Sequence, residues 1–283
     1  MDINSVSQRI NLSDGNSMPL FGFGCWNLAP KKVLVALESA VKNGYCLFDT
    51  AEMYKNEEMI GKALKNSTLS RDQYFVVTKL LPSKHGYNEA KSGLRESLTR
   101  LGLDYVDLFL IHSPHGGKNI ETWKAFVELK QEGLTKSIGV SNFNVQHLKG
   151  LMASGMESPA VNQIELHPWY IPENCVEYCR KHSIAVMGYC PLARARLFED
   201  GKYDIIDNLS KKHQKTKAQL LLRWALQREF ITIPKSANPE RIKENSEIFD
   251  FVLSEDDMNL MSQLNQELHI AKCSSVMNEH WTG

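Results

Sequence analysis

The sequence predicts an α/β protein: a (β/α)8 barrel of the TIM type with an N-terminal β-hairpin, built as a single domain over residues 1–283. Three observations lead there. Short apolar runs alternate with amphipathic segments eight times, the pattern of buried parallel strands and their covering helices. No Pro-, Ser- or Gly-rich linker divides the chain, and α/β barrels reach such lengths as one unit. Polar residues able to do chemistry stand at the ends of successive apolar runs, where a barrel would gather them at one mouth. No internal repeat is visible, so the prediction rests on alternation alone.

Residues 9–12 and 18–20 flank Ser13, Asp14, Gly15 and Asn16, and Asp-Gly between short apolar runs signals a hairpin. Residues 21–26 read as the first barrel strand. A helix starts at Pro30, carries Val33, Leu34, Leu37 and Val41 on one stripe, and stops at Gly44. Strand 45–48 ends at Asp49 and precedes helix 57–64. Strand 74–77 ends at Lys79, and its helix carries Leu94, Leu98 and Leu101 before Gly102. Strand 106–111 ends at His112, with Trp123, Phe126 and Val127 marking the helix before Gly133. Strand 137–140 ends at Ser141 and Asn142 and leads into helix 145–152. Strand 160–164 contains Gln163 and precedes helix 172–181. Strand 184–188 ends at Tyr189, followed by a helix with Ala218, Leu221, Leu222 and Ala225. Residues 230–233 form the eighth strand, and Ser254 with Asp257 caps a last helix carrying Met258, Met261 and Leu264.

Composition narrows the partners. Formal net charge is +0, which gives no electrostatic case for nucleic acid or a membrane surface. The six cysteines show no disulfide-rich spacing and read as thiols in a reducing compartment. The N-terminus lacks an apolar signal core, and no run approaches the ~18 apolar residues of a membrane span. A cytoplasmic protein is expected. His112 and His115 lack partner ligands, so no metal is expected. Tyr87 and Lys91 have the spacing of a short-chain dehydrogenase pair but fall on an outer helix without a dinucleotide fold, and read as a surface pair. Gly22 and Gly24 lack the third glycine of a Rossmann turn.

The stretch IPKSANPERIKEN sets Lys235, Ser236, Arg241 and Asn245 on a loop and the first turn of a helix. Helix N-termini offer free N–H groups to anions, and this donor set suits a dianionic phosphate. Taken alone, the cluster also fits a solvated charged loop. Asp49 and Lys79 could be a structural ion pair. With Tyr54 beside them they could also make an acid, because a nearby ammonium favours the phenolate form. His112 would then orient a carbonyl oxygen. Tyr189 could stack a flat ring, and Ser141, Asn142 and Gln163 offer partners for a carboxamide.

Together these stretches resemble the aldo-keto reductase family over nearly the whole chain. FDTAEMYKNEEMIGKAL matches the family pattern around its catalytic Asp and Tyr, and LGLDYVDLFLIHSP the stretch with its catalytic His. GLTKSIGVSNF and VNQIELHP match the nicotinamide-amide segments, and IPKSANPERIKENSEIFDF the 2′-phosphate site. The resemblance implies a catalytic tetrad of Asp49, Tyr54, Lys79 and His112, with Tyr54 as general acid. It implies NADPH/NADP+ as cofactor without a Rossmann fold. Ser141, Asn142 and Gln163 would hold the carboxamide, and Tyr189 would lie under the nicotinamide. Gly24, Trp26 and Asp49 would lie near it, with Trp26 walling the substrate pocket. Pro191 and Leu192 would lie near the pyrophosphate, Lys235, Ser236 and Arg241 on the 2′-phosphate, and Glu244 and Asn245 on the adenine. The substrate would be a small carbonyl compound and the protein a monomer. Two departures stand out: Ser113 follows the histidine where many relatives have Trp, and Cys190 replaces the usual Ser before Pro191. The loop 113–119 is short, which suggests an open pocket. The expected activity is NADPH-dependent reduction of aldehydes and some ketones. Its rivals are a reductase dedicated to a sugar, a dicarbonyl or a prostaglandin endoperoxide, a cofactor-binding barrel with little turnover, and a hydrolase or aldolase barrel using Lys79 in a Schiff base.

Overall fold

The computed structural model describes residues 3–195, 198 and 203–271. The chain opens with the predicted hairpin, β1 (Arg9–Asn11) against β2 (Ser17–Pro19), antiparallel. Its turn needs Gly15, whose φ of 85° is a left-handed value that glycine adopts without a Cβ penalty. Asn16 ties the hairpin to the barrel floor, donating to Lys136 O at 3.0 Å and to Ser137 Oγ at 3.1 Å.

Eight parallel strands follow: β3 (Phe23–Gly24), β4 (Leu47–Asp49), β5 (Phe75–Leu80), β6 (Val106–Ile111), β7 (Thr135–Ser141), β8 (Val161–Glu165), β9 (Ala185–Tyr189) and β10 (Ile231–Thr232). Neighbours in space are neighbours in sequence. The sheet closes on itself. Phe21 bridges Thr232 in parallel, Gly22 N donates to Thr232 O at 3.0 Å, and Gly24 N donates to Pro234 O at 2.9 Å. Every position of β5 and β6 is buried, as expected of strands covered on both faces.

The covering helices are α1 (Pro30–Lys42), α2 (Glu57–Lys65), α3 (Tyr87–Leu101), α4 (Asn119–Gln131), α5 (Val145–Met152), α6 (Glu173–Lys181), α7 (Asp204–His213), α8 (Lys217–Gln227), α9 (Pro239–Ser246) and α10 (Glu255–Ser262). The sequence reading missed α7. That helix buries only Ile206 and Leu209, too thin an apolar stripe to declare a period of 3.6. Tyr87 and Lys91 lie on α3 and bind Glu128 of α4, a staple between two outer helices. Among the described residues no helix is long and apolar enough to cross a membrane. The five described cysteines are free thiols, and Cys273 lies outside the described residues.

Candidate active site

Strand ends supply the site. Asp49 closes β4 and Lys79 lies near the end of β5, both almost wholly buried. The Lys79 ammonium donates to Asp49 Oδ1 at 2.7 Å, to Thr50 O at 2.8 Å and to the Tyr54 hydroxyl at 3.3 Å. Its three protons thus find three acceptors, two of which, Asp49 and Tyr54, line the cleft. Tyr54 ends a short 3-10 turn, Glu52–Tyr54, directly after β4. Asn56 clamps that turn: its Oδ1 accepts from the Thr50 hydroxyl at 2.8 Å and its Nδ2 donates to Cys25 O at 2.8 Å.

His112 follows β6, and its ring stands edge-on to the Tyr54 ring at 5.7 Å. Burial, with the Lys79 charge as a second cause, pushes its pKa down to about 3. The ring is therefore neutral at neutral pH. The sign of the linkage follows. Between the ordinary imidazole value of 6.5 and about 3, the unfolded chain binds a proton that the folded chain refuses. This contribution to stability is complete above pH ~6.5 and falls as the pH drops toward about 3. Denaturant melts between neutral and acid pH will show His112→Gln losing less stability on acidification than the parent. Equal losses would mean that the ring takes a proton in place.

The next strand ends are braced to one another. Tyr189 donates to Asn142 Oδ1 at 2.8 Å, and Asn142 Nδ2 donates to His112 O at 3.0 Å and to Ser141 Oγ at 3.1 Å. The Ser141 hydroxyl donates to Gln163 O at 2.9 Å. Gln163 Nε2 donates to Asp49 Oδ2 at 2.7 Å. The sequence reading offered these groups to a ligand alone and missed the bracing. Gln163 also reaches across the barrel to fix the second oxygen of the carboxylate that holds Lys79.

These groups open onto a cavity of about 580 Å³. Each residue predicted for the nicotinamide end lines it, from Gly24 and Trp26 to Pro191 and Leu192, as do Tyr54 and His112. Lys235 lines its far end, while Ser236, Arg241, Glu244 and Asn245 lie beyond it on the loop and α9. Four lining residues went unpredicted: Met53, Arg194, Ile233 and Ala271. The Arg194 guanidinium lies 4.8 Å over the Trp26 ring. Met53 and Ile233 lie within stretches already singled out, whereas only folding brings Arg194 and Ala271 to the cleft.

The phosphate shelf differs from expectation in one respect. The first N–H groups of α9 are not free: Asn238 Oδ1 accepts from Glu240 N at 2.8 Å and from Arg241 N at 3.2 Å. An Asn at the N-cap fills that role by itself, so an anion at this loop would have to be held by side chains. Burial, then Lys32, then Arg241 lower the pKa of Lys235. Lys32 is the unforeseen member, brought to the shelf by α1. Among the described residues no carboxylate pairs with these three cations. Glu244 accepts from the Thr216 hydroxyl at 2.8 Å, and Asn245 is buried. Among the described residues no cluster of three or more His, Cys, Asp or Glu could hold a metal.

A sequence model of the aldo/keto reductase family matches residues 20–266. The chain belongs to the aldo/keto reductase family. It is 41% identical over 261 residues to the methylglyoxal reductase DkgA of Escherichia coli, covering 91% of this chain and 93% of that protein. To the glyoxal reductase of Bacillus subtilis it is 38% identical over 264 residues, covering 93% and 95%. Among solved structures, an aldo/keto reductase of Brucella melitensis superposes with a TM-score of 0.88 at 42% identity, covering 93% of this chain and 99% of that one. The Bombyx mori aldo-keto reductase in complex with NADP superposes at 0.90 with 32% identity, covering 99% of both chains. This aldo/keto reductase is thus an oxidoreductase acting on carbonyl groups, with the barrel of its family.

Proposed function

We propose that this aldo/keto reductase reduces aldehydes and some ketones to alcohols with NADPH, and that Tyr54 is the proton donor. The observation that carries the reading is the buried relay from Asp49 through Lys79 to the Tyr54 hydroxyl, at 2.7 and 3.3 Å, on the wall of the cleft. Two features support the cofactor. Lys32, Lys235 and Arg241 gather positive charge without a carboxylate partner among the described residues, which suits a 2′-phosphate. Gly24 lines the cleft without a side chain, and a Cβ there would stand 3.0 Å from Ile233 O.

When bound, NADPH supplies the hydride that adds to the carbonyl carbon. Tyr54 gives its proton to the carbonyl oxygen as the C–O double bond becomes single. Lys79 donates to the phenol oxygen and so stabilises the charge left on it, while Asp49 holds the amine in place. A neutral His112 donates a hydrogen bond to the same carbonyl oxygen and orients it. In this reading Ser141, Asn142 and Gln163 hold the nicotinamide carboxamide, and Tyr189 stacks on the ring. Pro191 and Leu192 flank the pyrophosphate, and Glu244 and Asn245 the adenine. Trp26 walls the substrate side. Asp49 holding the lysine charged argues against a Schiff base.

A narrower reading is favoured by the relatives named methylglyoxal reductase and glyoxal reductase: small α-dicarbonyls as the main substrates. Steady-state loss of NADPH absorbance with methylglyoxal and simple aldehydes tests both. Turnover concentrated on dicarbonyls supports the narrower reading, and no turnover with any activated aldehyde leaves a binding barrel. Arg241→Ala is expected to weaken NADPH by about 1.5–3 kcal/mol and to leave NADH nearly unchanged. Titration of both nucleotides by quenching of intrinsic fluorescence checks this, and equal losses remove Arg241 from the phosphate. We further propose a single-domain, monomeric, cytoplasmic protein without a nucleic-acid partner. The formal net charge of +0 and the free thiols of the five described cysteines support it.

A further inference from the structure

Glu165, the last residue of β8, is a charged group that the proposed chemistry leaves unused. It is wholly buried. Its Oε1 accepts the backbone N–H of Ile270 at 2.8 Å and of Ala271 at 2.9 Å, and lies 3.2 Å from His167 Nε2. His269 Nδ1 stands 3.6 Å from Oε2. A carboxylate is costly to bury unless its oxygens are bonded, and here main-chain amides more than a hundred residues away do much of that work. Because both donors are backbone, Glu165 grips the path of the chain and not a particular side chain.

The grip closes a longer seam. Ile171 and Asn265 exchange hydrogen bonds of 3.2 and 3.1 Å. Gln266 N and Leu268 N donate to Trp169 O at 3.1 and 3.0 Å. The His269 ring lies 3.9 Å from the Tyr170 ring. Underneath, His167 and Tyr170 exchange backbone bonds of 3.2 and 2.9 Å, which stiffens the turn that receives the segment. Residues 265–271 have neither helix nor strand of their own. Where the seam ends, Ala271 lines the cleft together with Trp26, Tyr54 and His112.

We propose that Glu165 is a positioning residue that limits the size of carbonyl compound the site accepts, by fixing the backbone at 270–271 so that Ala271 stands in the wall of the cleft. The proposal rests on the reading of this cleft as a carbonyl-reductase site. A segment held by a few hydrogen bonds opens locally when an anchor is lost. The proton relay is bonded among Asp49, Lys79, Tyr54 and Gln163, so loosening the wall at 270–271 is expected to leave it in place, and kcat on methylglyoxal checks this. Glu165→Gln keeps an oxygen acceptor and removes the charge, and Glu165→Ala removes both.

The experiment uses the full chain and two readouts. Hydrogen exchange at the amides of Ile270 and Ala271 is expected to speed up on the order of ten-fold in Glu165→Gln and further in Glu165→Ala. The ratio of kcat/KM for 2-naphthaldehyde to that for methylglyoxal is expected to rise roughly ten-fold in Glu165→Ala, less in Glu165→Gln, with kcat on methylglyoxal unchanged. Ala271→Leu should lower that ratio in the parent and have no effect beside Glu165→Ala. Unchanged exchange overturns the tether, and faster exchange with an unchanged ratio overturns its control of size. Should Glu165→Ala fail to fold, Glu165→Gln carries both readouts. If the parent chain reduces neither carbonyl, the reductase reading fails, and the exchange rates still report the tether by themselves.

Discussion

Tyr54→Phe is expected to lower turnover by roughly 10²–10⁴-fold and to leave NADPH affinity and folding stability nearly intact. The change deletes one oxygen at the rim of the cleft. Lys79 keeps its bonds to Asp49 and to Thr50 O, so the buried charges stay paired. His112 is a poor substitute. With its pKa pushed down to about 3, it carries no spare proton at neutral pH, and its contribution to a carbonyl oxygen is a hydrogen bond. Single-turnover rates with saturating NADPH, beside a melting curve, separate the possibilities. An unaltered rate in a well-folded variant would remove the phenol from the chemistry.

Lys79→Met carries the second large effect, this time on two observables. It takes the cation away from Asp49 and leaves that carboxylate buried with Gln163 Nε2 on its other oxygen, at 2.7 Å. Breaking a buried ion pair from one side costs about 3–5 kcal/mol, a fall of roughly 10 °C in Tm for a chain of this size. Turnover should drop with it, because the phenol loses the amine 3.3 Å away. Asp49→Asn combined with Lys79→Met is expected to recover much of the stability and none of the turnover. A double variant as unstable as Lys79→Met alone would show that an uncompensated charge was not the cause.

Much of the barrel can be read from the sequence because its strands are short apolar runs between clear stops. Residues 106–111 are apolar at five of six positions, and the structure places them as β6. Asp49, Lys79 and His112 stand at run ends, and the barrel rule is enough to bring them to one mouth. What escaped belongs to distances that no motif spans. The Gln163–Asp49 bond joins residues 114 apart in sequence. Lys32 meets Lys235 only because α1 passes the loop after β10. Asn238 was visible one position before Pro239, a sound N-cap signal, yet its effect on the anion site runs opposite to the expectation drawn from the helix end. Glu165 lies one position past the predicted strand 160–164, and nothing local in the sequence tells that Ile270 and Ala271 rest on it.

The junction of Phe21 with Thr232 has a consequence for how the protein comes to life in a cell. Synthesis starts with the first stave of the cask and delivers the last one, β10, only after more than two hundred further residues. Until then Gly24 has no Pro234 to bind, and the loop proposed to hold the nucleotide phosphate has not been made. Chains cut short before that point are expected to be inactive, because the cask stays open at this junction.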